Sequence, residues 1–497
     1  MWKLLLALFI TPSALLAQEH SHQSAERLGT VHFQVSCDPR ATPHFNRAVA
    51  LLHSFEFGAA IKGFNQALAA DSTCAMAYWG IALSQWGNPV AAGNRSNALL
   101  SAGNDAINAA RRVASHSTER EKAYIEAAAK LFEGSDKVAQ TVRVRSYETA
   151  MNSVVQSNPD DTEAKIFHAL SIVAAAPSTD KTYANQKRAA AILEPLWKLH
   201  PDHPGLAHYI IHTFDYPPLA KRGSDAAREY AEIAPSTAHA MHMPSHIFTR
   251  TGMWSQSIET NLKSMQIADA GGSIAEVLHA ADYAEYAYLQ LGRDAEAKRI
   301  VEKLPHLAAR FDVNAVTGAA PGSAGVFALA AIPARYALER NAWAEAAKLK
   351  PVASSFRWTE ALTWFARALG AAHLGDTTAA RTAADSLDAI EHQLAGANEP
   401  YWSEQVAIQS LGARAWLDLA RGRKDSAEIL MREAVRREDA TEKSAVTPGP
   451  LAPSRELLAD MLMTMGRRKE ALAEYRKTLE VEPLRRRSIE GARRAER

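Results

Sequence analysis

Small and turn-forming residues recur in this chain about every 34 residues, and that period constrains the fold class more than any other feature. Near the C-terminus, Ala459, Gly466, Ala471, Tyr475 and Pro483 take positions 8, 15, 20, 24 and 32 of one unit. Upstream, Ala415, Gly422, Ala427 and Ala434 take positions 8, 15, 20 and 27. Trp364, Ala368, Gly375 and Ala380 take 4, 8, 15 and 20. Near the start, Ala48, Ala60, Phe64 and Ala67 fit 8, 20, 24 and 27 of a unit beginning at Ala41. Tyr78 and Ala82 fit 4 and 8 of the next, and Pro201 and Pro235 both fit 32. Each unit reads as two helices. Alanines at 8 and 20 let the pair approach closely, glycine at 15 permits the turn, and proline opens the following helix.

These residues resemble the tetratricopeptide repeat. The resemblance covers about residues 41–485, roughly ten hairpins, some degenerate or carrying insertions. It implies an all-α fold, a right-handed superhelical solenoid whose concave groove is lined by positions 2, 5, 9, 12 and 13 of each first helix. It also implies a peptide or protein partner in that groove, while fold alone does not assign a reaction. Two Gly/Pro-rich stretches interrupt the array, residues 312–326 and 439–453. The expected organisation is therefore a signal peptide (1–17), an N-terminal segment (18–40), a first superhelix (41–311), a loop (312–326) and C-terminal repeats (327–497). The basic tail after Pro483 reads as a solvated capping helix.

Composition removes several function classes. Among 497 residues, 56 Lys and Arg balance 55 Asp and Glu, so no nucleic-acid partner is expected. After residue 17 no apolar run reaches membrane-spanning length. Lys3, the apolar stretch Leu4 to Ile10 and the small residue Ala17 form a secretory signal. Export places the mature chain in the periplasm or outside the cell, where its two cysteines can pair. Cys37 precedes the first helix of the first hairpin and Cys74 closes the second, so the antiparallel helices bring them together as a disulfide.

Histidine carries the chemical signal. Of 18 histidines, seven lie between residues 200 and 246. Pro201 and Pro235 place His208 and His212 at positions 5 and 9 of one unit, with Asp215 at 12. In the next unit His239, His242 and His246 fall at 2, 5 and 9; Gly252 at 15 confirms the register. A third unit, registered on Gly292, places His279 at 2, Asp282 at 5 and Tyr286 at 9. Residues four apart share a helix face, so two His-x-x-x-His pairs repeat 34 residues apart on the groove lining.

Such a set suits a first-row transition ion. The expected ligands are His208, His212, Asp215, His239, His242, His246, His279 and Asp282, holding zinc, copper or iron. The expected function is an exported binding or scaffold protein whose concave groove carries this site; with no cysteine in the set, an open coordination position fits the alternative, a metalloenzyme, hydrolytic or oxidative, acting on a peptide or small molecule. A metal-free polar groove that binds a partner is the other reading. His53, Trp79, Trp86, Arg250 and Tyr286 are further groove contacts, Arg250 as a carboxylate clamp. His20 and His22 belong to a disordered start. No phosphate-binding loop, zincin signature or nucleophile elbow is present. Ser245, at position 8, is expected to face the second helix of its hairpin.

Overall fold

The computed structural model describes residues 26–497. The candidate export signal, His20 and His22 lie outside the described residues. Within them the chain is helical throughout, with no β-strand. Consecutive helices pair as antiparallel hairpins, for example Thr42–His53 with Phe57–Ala70, Arg357–His373 with Thr377–Gly396, and Ser454–Thr464 with Arg468–Val481. The fold is an all-α solenoid of tetratricopeptide-type repeats.

The repeat positions do what their size allows. Ala48 and Ala60, Ala368 and Ala380, Ala415 and Ala427, and Ala459 and Ala471 are all fully buried between their paired helices. A larger side chain at any of them would push the helices apart. The position-15 glycines Gly252, Gly292, Gly375, Gly422 and Gly466 all have φ between 70° and 80°. That left-handed backbone is costly for any residue with a Cβ, so these positions close the hairpin turns.

Three departures from a bare solenoid matter for the site. The N-terminal segment packs onto the first hairpins, with Phe33 against Phe45, Trp79 and Tyr124. Residues 312–321 dock through Gly58 N to Thr317 O at 2.7 Å and Ala320 N to Glu276 Oε2 at 2.8 Å. Residues 440–453 form a strap that returns to the first half of the chain. Its Glu442 accepts from Lys181 Nζ and Tyr183 Oη at 2.7 Å each, and Glu442 N donates to Ser178 O. No helix among the described residues is long and apolar enough to cross a membrane.

Cys37 and Cys74 are bonded, with their α-carbons 4.9 Å apart. The bridge closes the first hairpin across a separation of 37 residues. Chain-entropy arguments assign such a loop about 2–4 kcal/mol. The double variant Cys37→Ser, Cys74→Ser is expected to lose about that much in urea denaturation, and reductant should shift the wild type but not the variant.

Candidate metal centre

The helix Pro204–Phe214 presents His208 and His212 on one face. The next repeat's first helix is written in two pieces, Ala238–His242 and Pro244–Thr251, because Pro244 lacks a backbone N–H. Met243 keeps helical angles (φ −54°, ψ −36°), so His242 and His246 remain one turn apart. The helix Ile274–Gln290 supplies His279.

These six imidazoles form two groups of three. Ligand nitrogens of His208, His212 and His239 all lie within 4.8 Å of one another, and so do those of His242, His246 and His279. All six side chains are buried. In four of the rings an outer partner uses the Nδ1 proton. His208 Nδ1 donates to the His53 carbonyl at 2.6 Å, and His239 Nδ1 to Glu276 Oε1 at 3.0 Å. His242 Nδ1 donates to Asn261 Oδ1 at 2.7 Å; Asn261 Nδ2 is committed to Ser257 O, which fixes the amide orientation. His246 Nδ1 donates to Asp215 Oδ2 at 2.8 Å. With Nδ1 protonated, each neutral ring turns a bare Nε2 lone pair inward, the tautomer a metal requires.

Those lone pairs lack protein partners where they converge. Nε2 of His208, His212 and His239 are buried without a hydrogen bond, as is Nδ1 of His279. In the second group His242 Nε2 faces His246 Nε2 at 3.0 Å. Two lone pairs at that distance repel unless a cation or proton sits between them. Burial, together with the neighbouring imidazoles, pushes His208, His212 and His242 well below the ordinary histidine range. Burial also lowers His246 despite Asp215, and brings His279 down to about 3 despite Glu276. Burial thus disfavours a proton in the gap between His242 and His246.

Behind the rings lies a charged layer. Asp215 accepts from His246, from Arg250 Nε at 2.9 Å and from Lys443 Nζ at 3.0 Å. Burial opposes its ionisation, but Lys443 and Arg250 hold it well below the usual carboxylate range. Burial brings Lys443 down to about 8 despite Asp215. Glu276 stays ionised beside His239, whereas burial and the nearby Glu276 push Glu56 up to about 7.

Several expected site residues have other surroundings. Asp215 orients His246 instead of pointing into either nitrogen cluster. Asp282 is separated from the imidazoles: it faces Arg335 of the helix Gly322–Glu339 at 3.3 Å, because that buried guanidinium needs an anion. Arg250 clamps a carboxylate as expected, but the carboxylate is Asp215 of the same chain. Trp79 packs in the core against Phe33, Tyr124 and Phe167, and Trp86 lies against Phe132 and beneath Arg95. Trp79 is fully buried, whereas Trp86 lines a small cleft with Phe55, Phe57 and Phe167. His53 is buried between Tyr209 Oη and Glu163 Oε2, both at 2.9 Å. Tyr286 turns towards Glu482 and Arg485. Ser245 meets the second helix of its hairpin through Asn261.

The groove over the histidines is not open. The Tyr283 hydroxyl reaches the carbonyls of Thr447 and Ala445 at 3.0 and 3.2 Å, and Lys443 descends from the same strap to Asp215. A peptide partner therefore has no free lining at this point. Beside the strap lies a cleft of about 380 Å³, bounded by Arg250, Trp358, Tyr401, Trp402, Lys443 and Thr447. Lys443, Glu276, Asn261 and Tyr283 were not singled out from sequence. Asn261 lies on a second helix and Lys443 in a strap without periodicity, so repeat register gives no signal for either.

No family model matches the chain, and comparison with characterised proteins gives no match. Among solved structures, yeast Tom70 is similar at 11% identity over 92% of this chain and 88% of its own, with a TM-score of 0.39. A human IFIT1 dimer with PPP-AAAA is similar at 12% identity over 93% and 95%, with a TM-score of 0.43. The Cut9–Hcn1 assembly of APC/C is similar at 12% identity over 92% and 76%, with a TM-score of 0.38.

Proposed function

We propose that this protein is a transition-metal-binding repeat protein in which the solenoid acts as a cage for a histidine centre. One observation carries the reading: His208, His212 and His239 bring ligand nitrogens within 4.8 Å of one another in the core, and the buried Nε2 of each has no hydrogen-bond partner among the described residues. Buried polar atoms are nearly always paired, and each unpaired one costs about 1–3 kcal/mol. Three in one place, with two of the rings oriented by outer acceptors, match the donor set of a metal held by imidazole. The residues that would hold it are the six histidines; Asp215, Glu276, Asn261 and the His53 carbonyl would orient them. A metal there supplies Lewis acidity or electron transfer, and the cleft beside Lys443 is where a small molecule would approach. Export and an oxidising compartment are part of the same proposal, supported by the Cys37–Cys74 bridge.

The test is elemental analysis of untagged protein, as purified and after reconstitution with zinc, copper or iron. At least one ion per chain is expected. Metal at a hundred times its dissociation constant should stabilise the fold by about 2.7 kcal/mol, read as a rise in Tm that a chelator reverses. Protein that stays metal-free, with an unchanged Tm in all three metals, would leave a hydrogen-bonded histidine core and a plain scaffold.

A further inference from the structure

The same ligand set is built twice, one repeat apart. The first group takes positions 5 and 9 of one unit, His208 and His212, and position 2 of the next, His239. The second takes positions 5 and 9 of that next unit, His242 and His246, and position 2 of the following one, His279. Each group contains two rings whose Nδ1 is held by an outer acceptor, and each has one ionised carboxylate hydrogen-bonded behind it: Glu276 behind His239, Asp215 behind His246. The groups adjoin. Ring centroids of His239 and His242 are 5.8 Å apart, and those of His212 and His246 are 5.9 Å apart.

We infer that the centre is dinuclear, with one copper ion in each three-imidazole group. The inference rests on the metal-centre reading and goes further, to the number and kind of ions. One ion cannot satisfy both groups. If it sat among His208, His212 and His239, the lone pairs of His242 and His246 would still face each other at 3.0 Å in a dry core. If it sat in the second group, three unpaired Nε2 atoms would remain in the first.

Copper follows from charge and ligand type. Neither group contains a carboxylate ligand, so nothing in direct contact offsets the ionic charge. One carboxylate stands behind each group, and Arg250 and Lys443 already offset Asp215, so added positive charge finds little compensation there. Cuprous ions carry one charge each. By Coulomb's law two monovalent ions repel one another about a quarter as strongly as two divalent ions at the same separation. Among common divalent ions at nitrogen sites copper also binds most tightly, so the oxidised pair would be retained against zinc. Paired metal sites generally place their ions about 3.5–4 Å apart, which suits groups whose rings touch.

Anaerobic titration of the apo protein with Cu(I), delivered as its acetonitrile complex, tests the count directly. Two equivalents per chain are expected. His208→Ala should bind one, leaving the second group, and His242→Ala should bind one, leaving the first, with the circular dichroism of wild type. One equivalent in the wild type overturns the dinuclear inference while the metal-centre reading survives; none overturns both. Loss of both ions in either variant, with the fold intact, overturns two independent sites. Zn(II) displacing Cu(I) from the loaded protein overturns the copper assignment. The wild-type count decides by itself if a variant fails to fold.

Discussion

Acidification from pH 7 to pH 5 is expected to unfold the metal-free protein. Six histidines, His53, His208, His212, His242, His246 and His279, are buried, and burial lowers the affinity of each for a proton. In the unfolded chain the same rings protonate near their ordinary value of about 6.5. Below that pH the unfolded state therefore binds more protons than the folded state, and stability falls as pH falls. The penalty is absent above about pH 7 and grows by about 1.4 kcal/mol per pH unit for each ring that stays neutral. If only three of the six stay neutral, the loss is about 4 kcal/mol per unit, against a typical total of about 5–15 kcal/mol. Asp215 acts in the same direction at lower pH, because the folded state favours its carboxylate and that stabilisation is lost as it protonates. Denaturation midpoints measured with chelator at half-unit steps from pH 8 to 5 check this. A flat profile across that range would show that the rings take up protons without opening the core.

Arg485→Ala is expected to be the most damaging single substitution outside the histidine core, at about 3–5 kcal/mol. The Arg485 guanidinium is fully buried and meets Glu456 at 2.8 Å and Glu339 at 2.7 Å, with Glu482 at 3.5 Å and the Tyr286 hydroxyl at 3.1 Å. Removing it leaves Glu456 and Glu339 in the interior without that cation; Arg487 remains 3.5 Å from Glu456. The same segment joins the C-terminal repeats to the helix carrying His279, since Tyr286 reaches Glu482 and Arg486 N donates to Gln290 Oε1, and to the preceding helix, where Trp254 Nε1 donates to the Leu484 carbonyl. Arg486→Ala, one residue on and half-buried, is the control, with a loss below about 1 kcal/mol. Equal midpoints for the two variants in urea denaturation would refute this account of the buried cluster.

The repeat and the histidine register were legible because both are local. A 34-residue period with alanine at 8 and 20 and glycine at 15 specifies how one helix packs on the next, and the structure has those alanines buried and those glycines left-handed. The i, i+4 spacing of His208 with His212, and of His242 with His246, puts each pair on one helix face wherever the helix goes. What the period cannot specify is which distant segment covers that face. The strap at residues 440–453 has no periodicity, yet its Lys443 reaches Asp215 across more than two hundred residues of chain and closes the groove that repeat geometry alone would leave open. Asp282 shares a groove position with His242 but serves Arg335, because a buried guanidinium recruits the nearest anion whatever the register of its helix. Sequence by itself determined the all-α hairpin solenoid and the faces that carry histidine, because helix periodicity and close helix packing act over a few tens of residues. Only the tertiary structure decided that six of those histidines form two sealed groups, since burial, tautomer and outer partner each depend on segments that sequence spacing does not relate.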